Sequence, residues 1–163
     1  MVKKISLLFL LIFFFTIPLF SQDECLVNIG NKFEILIAEP FGDTKEIRLM
    51  KGRLKTVTEL RLRKEGFVIT ELSGDSNMPH VYIAVTVVRM AFNVELCIRE
   101  LVEIQRKPSS VLCVVSTWYA SYTGTHGNDS EFIVSGLSQL LDKFLNDYYK
   151  ANPKEEITDH QQN

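Results

Sequence analysis

A long apolar run from residue 81 to residue 122, rich in β-branched side chains, constrains the fold of this chain more than any other feature. Residues 81–87 alternate valine or isoleucine with tyrosine, alanine and threonine, and residues 94–104 largely alternate apolar with polar side chains. A period of two is typical of strands that pack on one face and meet water on the other. We therefore expect consecutive antiparallel strands across this run.

Two interruptions divide the run into three strands. Phe92-Asn93 is the predicted first turn and Lys107-Pro108 the predicted second, because asparagine and proline favour turn conformations. Within the third strand, residues 111–115 are apolar at every position. We expect it either in the centre of the sheet or covered by other elements on both faces.

The chain before this run predicts one strand, one helix and a second strand. Residues 33–38 are an apolar run of strand length, and residues 67–72 are another. Between them, residues 44–65 repeat apolar side chains at spacings of three and four, with Asp43 placed to cap the helix and Gly66 to end it. This succession predicts a parallel, right-handed crossover.

A second helix follows the run. Residues 128–130 (NDS) offer three N-cap candidates, and Asn152-Pro153 ends the helical pattern. Its broad apolar stripe consists of Ile133, Leu137, Leu140, Leu141, Phe144 and Tyr148, widened by Val134 and Leu145. The predicted fold class is therefore α+β, a two-layer sandwich with element order β-α-β-β-β-β-α. Its mixed, mostly antiparallel sheet carries two helices on one face.

Residues 1–21 match a secretory signal peptide. Two lysines near the N-terminus precede an apolar stretch, and Pro18 comes too early for the roughly 20 apolar residues of a membrane span. We expect cleavage after Ser21, with an uncleaved anchor as the alternative. Residues 22–152 then form a single α+β domain, and residues 153–163 form a flexible polar tail.

The charge of the expected mature chain limits its partners. Loss of residues 1–21 removes Lys3 and Lys4, so 18 basic residues become 16 against 20 acidic ones, a net charge of −4. An acidic balance without a basic stripe argues against a nucleic-acid partner. The expected location is the periplasm or the extracellular space, with membrane attachment only through an uncleaved signal.

The cysteines Cys25, Cys97 and Cys113 all lie in the expected mature chain. An odd number leaves at least one thiol unpaired or shared with another chain. In a hairpin that turns at Pro108, opposite positions sum to about 216, whereas 97 and 113 sum to 210. We therefore expect these two thiols to be free and buried.

Metal and cofactor binding have little support in the sequence. The available ligands are His80, His126 and His160, with Asp75 and Asp129, yet no histidine or cysteine lies within four residues of another. Structural zinc sites place their ligands in tight pairs. The expectation is no metal site and no cofactor.

Ser116, His126 and Asp129 supply the residue types of a hydrolytic triad. The chain lacks the Gly-x-Ser-x-Gly sequence that exposes a nucleophilic serine, and a serine within a strand is ordinarily a small polar residue on a sheet. We therefore expect no catalytic residues and keep a hydrolase as an alternative only.

An aromatic group near the end of the third strand is the best functional lead. Trp118, Tyr119 and Tyr122 either cover the core or mark a partner or ligand surface. His126 lies in the adjacent loop, residues 123–127 (TGTHG), which is either a plain connection or an anion cradle at the start of the second helix. These three aromatics and His126 are the predicted surface residues.

Four segments carry a resemblance: residues 59–66 (ELRLRKEG), residues 81–85 (VYIAV), the pair Thr117-Trp118 and residues 144–148 (FLNDY). Together they look like a group of small exported bacterial proteins of unassigned function. The resemblance implies a fold and a compartment rather than an activity. The element order is also similar to the small α/β modules of envelope-assembly factors, such as the lipopolysaccharide-transport lipoprotein and the TolB N-terminal domain, by analogy of fold alone.

These patterns predict an exported, noncatalytic interaction module, periplasmic or secreted, that serves in cell-envelope assembly or maintenance. Its expected partner is an envelope or extracellular protein, bound on the open sheet face or on an edge strand. The first alternative is a small-ligand binder that uses the space beneath the aromatics near Trp118. The second alternative is an unrecognised hydrolase.

Overall fold

A computed structural model describes residues 22–42, 45–71, 77–106, 108–127 and 129–153 of the chain. The predicted signal peptide at residues 1–21, the predicted helix cap Asp43 and residues 154–163 of the predicted tail lie outside these ranges.

The described residues form a five-stranded mixed sheet with two long helices, which confirms the predicted α+β fold and its element order. A short 3₁₀ helix, Gln22–Leu26, precedes the first strand. The strands are β1 (Lys32–Ile37), β2 (Val68–Thr70), β3 (His80–Val88), β4 (Ala91–Arg106) and β5 (Ser109–Thr125), and the helices are α1 (Lys45–Lys64) and α2 (Glu131–Ala151).

The strands lie in the order β2-β1-β3-β4-β5. β1 pairs in parallel with β2 on one side and with β3 on the other, whereas β3, β4 and β5 pair antiparallel in sequence order. Along the chain α1 lies between β1 and β2, and these two strands are parallel, as the predicted crossover requires. The long strand β5 therefore forms one edge of the sheet, and the three-residue strand β2 forms the other.

Helix α2 uses the apolar stripe that the sequence predicted. The expected stripe of α1 is only partly correct, because Met50 and Leu54 are buried together with Thr58 and Leu62, whereas Leu60 is exposed. α2 buries Ile133, Gly136, Leu137, Leu140, Leu141, Phe144, Leu145 and Tyr148. The chain leaves α1 at Gly66, whose φ of +89° is in the left-handed region that glycine adopts without a steric penalty. The predicted helix end is therefore confirmed.

The core between sheet and helices is centred on aromatic rings. Phe144 of α2 meets Trp118 of β5 at a centroid distance of 5.4 Å and Phe33 of β1 at 6.1 Å. Phe67, at the start of the β2 segment, stacks edge-on against Tyr148 at 4.8 Å. These side chains connect α2 to strands at both sides of the sheet.

The prediction of a turn at Phe92-Asn93 is wrong, because both residues belong to β4. Phe92 is buried in the core and lies opposite Gly124 of β5. The chain turns instead at Arg89-Met90, where Arg89 has a φ of +55°. Arg89 and Met90 are not turn formers by composition, so burial of Phe92 decided the register.

The second predicted turn is confirmed, since Pro108 lies in the turn between β4 and β5. The register also places Cys97 opposite Tyr119 and Cys113 opposite Val102, so the two thiols are far apart, as expected. All three cysteines are free.

The third strand of the run ends three residues later than expected, because β5 continues past Tyr122 to Thr125. The expected loop at residues 123–127 is strand over its first three residues, which pair with Ala91, Phe92 and Asn93. The expectation that residues 111–115 lie centrally or beneath other elements is also wrong, since they belong to the edge strand and Val111, Leu112 and Val114 are exposed.

Two helical glycines should respond in opposite directions to the same substitution. A Cβ at Gly52 meets nothing within 4 Å, so Gly52→Ala should raise the free energy of unfolding by roughly 0.5–1 kcal/mol. A Cβ at Gly136 would lie 2.8 Å from the Tyr122 ring, which already stacks on Phe92, so Gly136→Ala should lower it by about 1–3 kcal/mol. Urea unfolding followed by Trp118 fluorescence measures both.

Each glycine variant serves as the control for the other, because both change helix propensity by the same amount. If Gly136→Ala stabilised the protein as much as Gly52→Ala does, α2 would not press on Tyr122 in the described way.

Candidate interaction surface

The four predicted surface residues do not come together. The side chains of Trp118 and Tyr122 point towards the helices. Tyr119, which lies between these two residues in β5, points to the opposite sheet face, as alternation along a strand requires. His126 follows the end of β5, beside the turn between β3 and β4. Any site built from Tyr119 therefore has to use the sheet face that the helices leave open.

Trp118 anchors α2 to the sheet. Its side chain is 1% exposed and packs edge-on against Phe144. The indole N–H donates to Asp147 Oδ2 at 2.9 Å, and Lys143 Nζ donates to the same oxygen at 2.7 Å. Since helix side chains fill the space over the ring, this geometry counts against a ligand pocket beneath Trp118.

Tyr122 and His126 also have structural contacts. Tyr122 stacks on Phe92 at a centroid distance of 5.9 Å. His126 Nε2 lies 2.8 Å from the Arg89 carbonyl oxygen, and its backbone N–H donates to the Met90 carbonyl at 3.0 Å. His126 therefore joins the end of β5 to the preceding turn.

Ser116 lies far from the other two residues of the hydrolase alternative, whereas the Asp129 N–H donates to the His126 carbonyl at 2.6 Å. Ser116 is opposite Arg99, and Thr125 lies nine residues further along the extended strand, which corresponds to about 30 Å. Asp129 Oδ1 accepts a hydrogen bond from the Glu131 N–H at 2.8 Å, which satisfies a free donor at the start of α2. Ser116 and the His126 region are therefore at opposite ends of β5.

A projecting hairpin exposes several apolar side chains. We call it the arm and define it as residues 99–106 of β4 and 109–116 of β5. β3 begins at His80, opposite Arg99, so β4 has no partner from β3 further along in the described residues. Trp118 lies opposite Ile98 but Ser116 lies opposite Arg99, so Thr117 is an extra residue. This bulge bends the strand where the arm leaves the body.

The arm is a two-stranded ribbon about 23 Å long, estimated from a rise of 3.3 Å per residue. Paired residues share a face, so Leu101, Leu112 and Val114 lie on the side that continues the open sheet face. The other side carries Val102, Ile104, Val111, Cys113 and Val115. Leu112 and Val114 are each 65% exposed. The arm therefore presents apolar side chains on both faces.

A ribbon of this kind is unfavourable in water by itself. Two-stranded hairpins are at best marginally stable unless a third strand or another layer covers them. Exposed apolar surface of this type costs about 25 cal/mol per Å² relative to burial. The pattern of residues 111–115 indicates a covered strand. Val111, Leu112 and Val114 are nevertheless exposed, although the 3₁₀ helix Gln22–Leu26 contacts part of β5.

The open face of the body continues the surface of the arm. Arg99, at the base of the arm, lies 3.3 Å above the centroid of the Tyr82 ring. Cys97 lies between Tyr82 and Tyr119 in the cross-strand row and is 3% exposed. Tyr119 remains 41% exposed, and it is the predicted surface residue that this face presents.

Sequence reasoning missed Glu34. It lies within β1 between Phe33 and Ile35, is 1% exposed, and its carboxylate is 3.1 Å from His80 Nε2. A carboxylate is seldom fully buried without a partner, so a charged residue within a short apolar strand was the available signal. The pair joins β1 to β3 at the base of the arm.

A shallow cleft of about 310 Å³ lies between the C-terminal ends of the helices, beside Asn31, Phe67 and Asn152. Two tyrosines that line the cleft use their hydroxyl groups in hydrogen bonds: Tyr149 donates to the Glu65 carbonyl at 2.8 Å and Tyr148 to the Gly30 carbonyl at 3.0 Å. Burial raises the pKa of both tyrosines above the ordinary value. Both therefore stay protonated donors at neutral pH.

Neither a metal-binding cluster nor a membrane-spanning helix is present in the described ranges. No group of three or more His, Cys, Asp or Glu side chains converges there in a way that could hold a metal ion. None of the helices in that part of the chain has the length and apolar character needed to cross a membrane.

No protein-family model and no curated protein matches the chain. Among solved structures, an uncharacterised protein aligns with 73% of this chain and 88% of its own, at 8% identity and a TM-score of 0.31. A minor lipoprotein from Acinetobacter baumannii aligns with 75% of this chain and 93% of its own, also at 8% identity and a TM-score of 0.31. Likeness at this level transfers no function.

Two carboxylates on α2 should differ in their importance. Asp147→Ala leaves the buried indole N–H of Trp118 without an acceptor, so it should lower the free energy of unfolding by about 1–3 kcal/mol. Asp142→Ala breaks only an exposed ion pair with Arg61, so it should cost less than about 1 kcal/mol. Equal losses in urea unfolding would show that Asp147 does not fix the indole.

Proposed function

We propose that this protein is a noncatalytic interaction module whose docking element is the arm. One observation supports this function above the others: a long hairpin extends beyond β3, carries apolar side chains on both faces and leaves Val111, Leu112 and Val114 exposed. Exposed contiguous apolar surface of this kind is characteristic of protein interaction sites. The described residues hold no group of three or more His, Cys, Asp or Glu side chains that could bind a metal ion.

The distribution of charge in the arm suits a protein partner. Arg99, Glu100, Glu103 and Arg106 all belong to β4, so both signs are present and neither dominates. These charged residues are interspersed with apolar side chains on β4, and Glu103 lies opposite Leu112, whereas residues 111–115 of β5 are uniformly apolar. The open face with Tyr119 and Tyr82 extends this surface onto the body.

The compartment in this proposal comes from the sequence of residues 1–21, which has the order of a secretory signal. The partner is then an envelope or extracellular protein, and the role is in cell-envelope assembly or maintenance. A small ligand or a hydrolytic substrate has less support, since Trp118 is packed and Ser116 lies about 30 Å from the end of β5.

A photo-crosslinking amino acid at Leu112, in cells that make the protein natively, tests the arm. The matched control is Leu60 of α1, because both leucines are 65% exposed and only Leu112 is in the arm. We expect discrete crosslinked adducts from Leu112 at roughly five times or more the yield from Leu60, because a bound partner holds the probe in contact. Adducts are measured by immunoblot.

Equal yields at the two positions, or no adduct from Leu112, would contradict the proposed role of the arm. Adduct mass identifies the kind of partner, since a second copy of the chain adds 18.7 kDa or slightly less, whereas a different protein adds its own mass.

A further inference from the structure

We propose that a second copy of this chain covers the arm: the outer edge of β5 pairs antiparallel with the same edge of another copy about a two-fold axis. Two five-stranded sheets would thereby join into one. This inference rests on the proposed function, because it names the partner of the docking element. It makes the protein a homodimer whose interface includes the arm and the β5 edge.

The two edges of the sheet differ greatly in length. β5 has 17 residues, whereas β2 at the other edge has three. A free edge strand presents unpaired N–H and C=O groups to other chains, and natural edges are usually short, bulged, charged or interrupted by proline. In the described part of the chain, β5 has one bulge, but it is long and contains neither a charged residue nor a proline.

Alternation of hydrogen bonding shows which groups point outward. The Ala38 N–H donates to the Ile83 carbonyl, so Ile83 bonds to the β1 side and its neighbour Ala84 bonds to β4. Ala84 lies opposite Glu95, and Glu95 lies opposite Ser121. The N–H and C=O of Glu95 bond to β3, so Glu95 and Ser121 form a pair without hydrogen bonds between them. The N–H and C=O of Ser121 therefore point away from the sheet.

Charge favours a second copy over a charged partner strand. β4 contains five charged residues, Glu95, Arg99, Glu100, Glu103 and Arg106, whereas β5 contains no charged residue and no proline. A two-fold axis pairs β5 with itself, so a single charge near the axis would meet its own copy. The uncharged strand avoids that repulsion in a chain whose net charge is negative.

Antiparallel pairing along the strand brings the arm of one copy beside the body of the other. Outward-directed residues pair with outward-directed residues, and a two-fold axis between residues 116 and 117 places Tyr119 and Ser121 of one copy beside Val114 and Leu112 of the other. Tyr119 is 41% exposed on this face and has the size to cover Val114. Exposed groups in the arm and the body thus cover each other.

The helix face offers a second contact. Lys143 and Asp147 lie next to Trp118, so this side of α2 is over β5. Phe132 is on the same side, three helical turns earlier, and is 54% exposed. It is positioned to cover Val111 of the other copy, so both faces of the paired edge would contribute apolar contacts.

Sedimentation velocity of the purified protein tests this inference. At about 10 µM we expect a particle of twice the chain mass. Ser121→Pro removes an outward N–H without removing a bond to β4, and it should weaken self-association at least tenfold. Ser121→Ala keeps the N–H and should dimerise as the wild type does. Circular dichroism checks that each variant is folded.

Ser121→Lys is the second variant, because it keeps the backbone N–H and places a charge on the neutral edge of each copy. It should also weaken self-association at least tenfold. A wild-type monomer at about 100 µM would overturn the homodimer, as would a dimer that neither folded variant weakens. If the protein is monomeric but Leu112 still crosslinks to a different protein, the proposed function survives and only this inference fails.

Discussion

Packing of Phe144 against Trp118 is the contact on which the rest of the structure depends. It places α2 across β4 and β5, and the Asp147 carboxylate fixes the indole in that position. From there the helix proceeds to Phe67 and Tyr148, so α2 joins the long edge strand to the parallel end of the sheet. Because the helix leaves β5 at Trp118, that residue also marks where the covered body ends and the arm begins.

The arm is understood as the consequence of a mismatch in length. β4 and β5 have 16 and 17 residues, whereas β3 has nine, so the last two strands extend beyond their neighbour. Half of the arm residues are apolar, and they lie on both of its faces. In the function we propose, another surface covers them, and in the homodimer we propose, the uncharged edge strand of a second copy supplies it.

Much of the fold could be predicted because local patterns and burial agree there. The stripe of α2 and the glycine end of α1 follow from helical spacing and from the left-handed freedom of Gly66. The turn at Arg89-Met90 could not be predicted from turn chemistry, because burial of Phe92 outweighs the preference of Asn93 for turns. Among the predicted surface residues, alternation along β5 separates Tyr119 from Trp118 and Tyr122, which the period of two in the sequence could have indicated.

The sequence by itself determined the element order, the α+β class and the apolar character of residues 111–115, because each is a property of neighbouring residues along the chain. Only the tertiary structure decided that this apolar strand lies at an edge and not in the sheet centre. The physical reason is that strand order and relative strand length depend on which distant segments pair. A local pattern records that a side chain avoids water, and it does not record whether its cover comes from the same chain or from another.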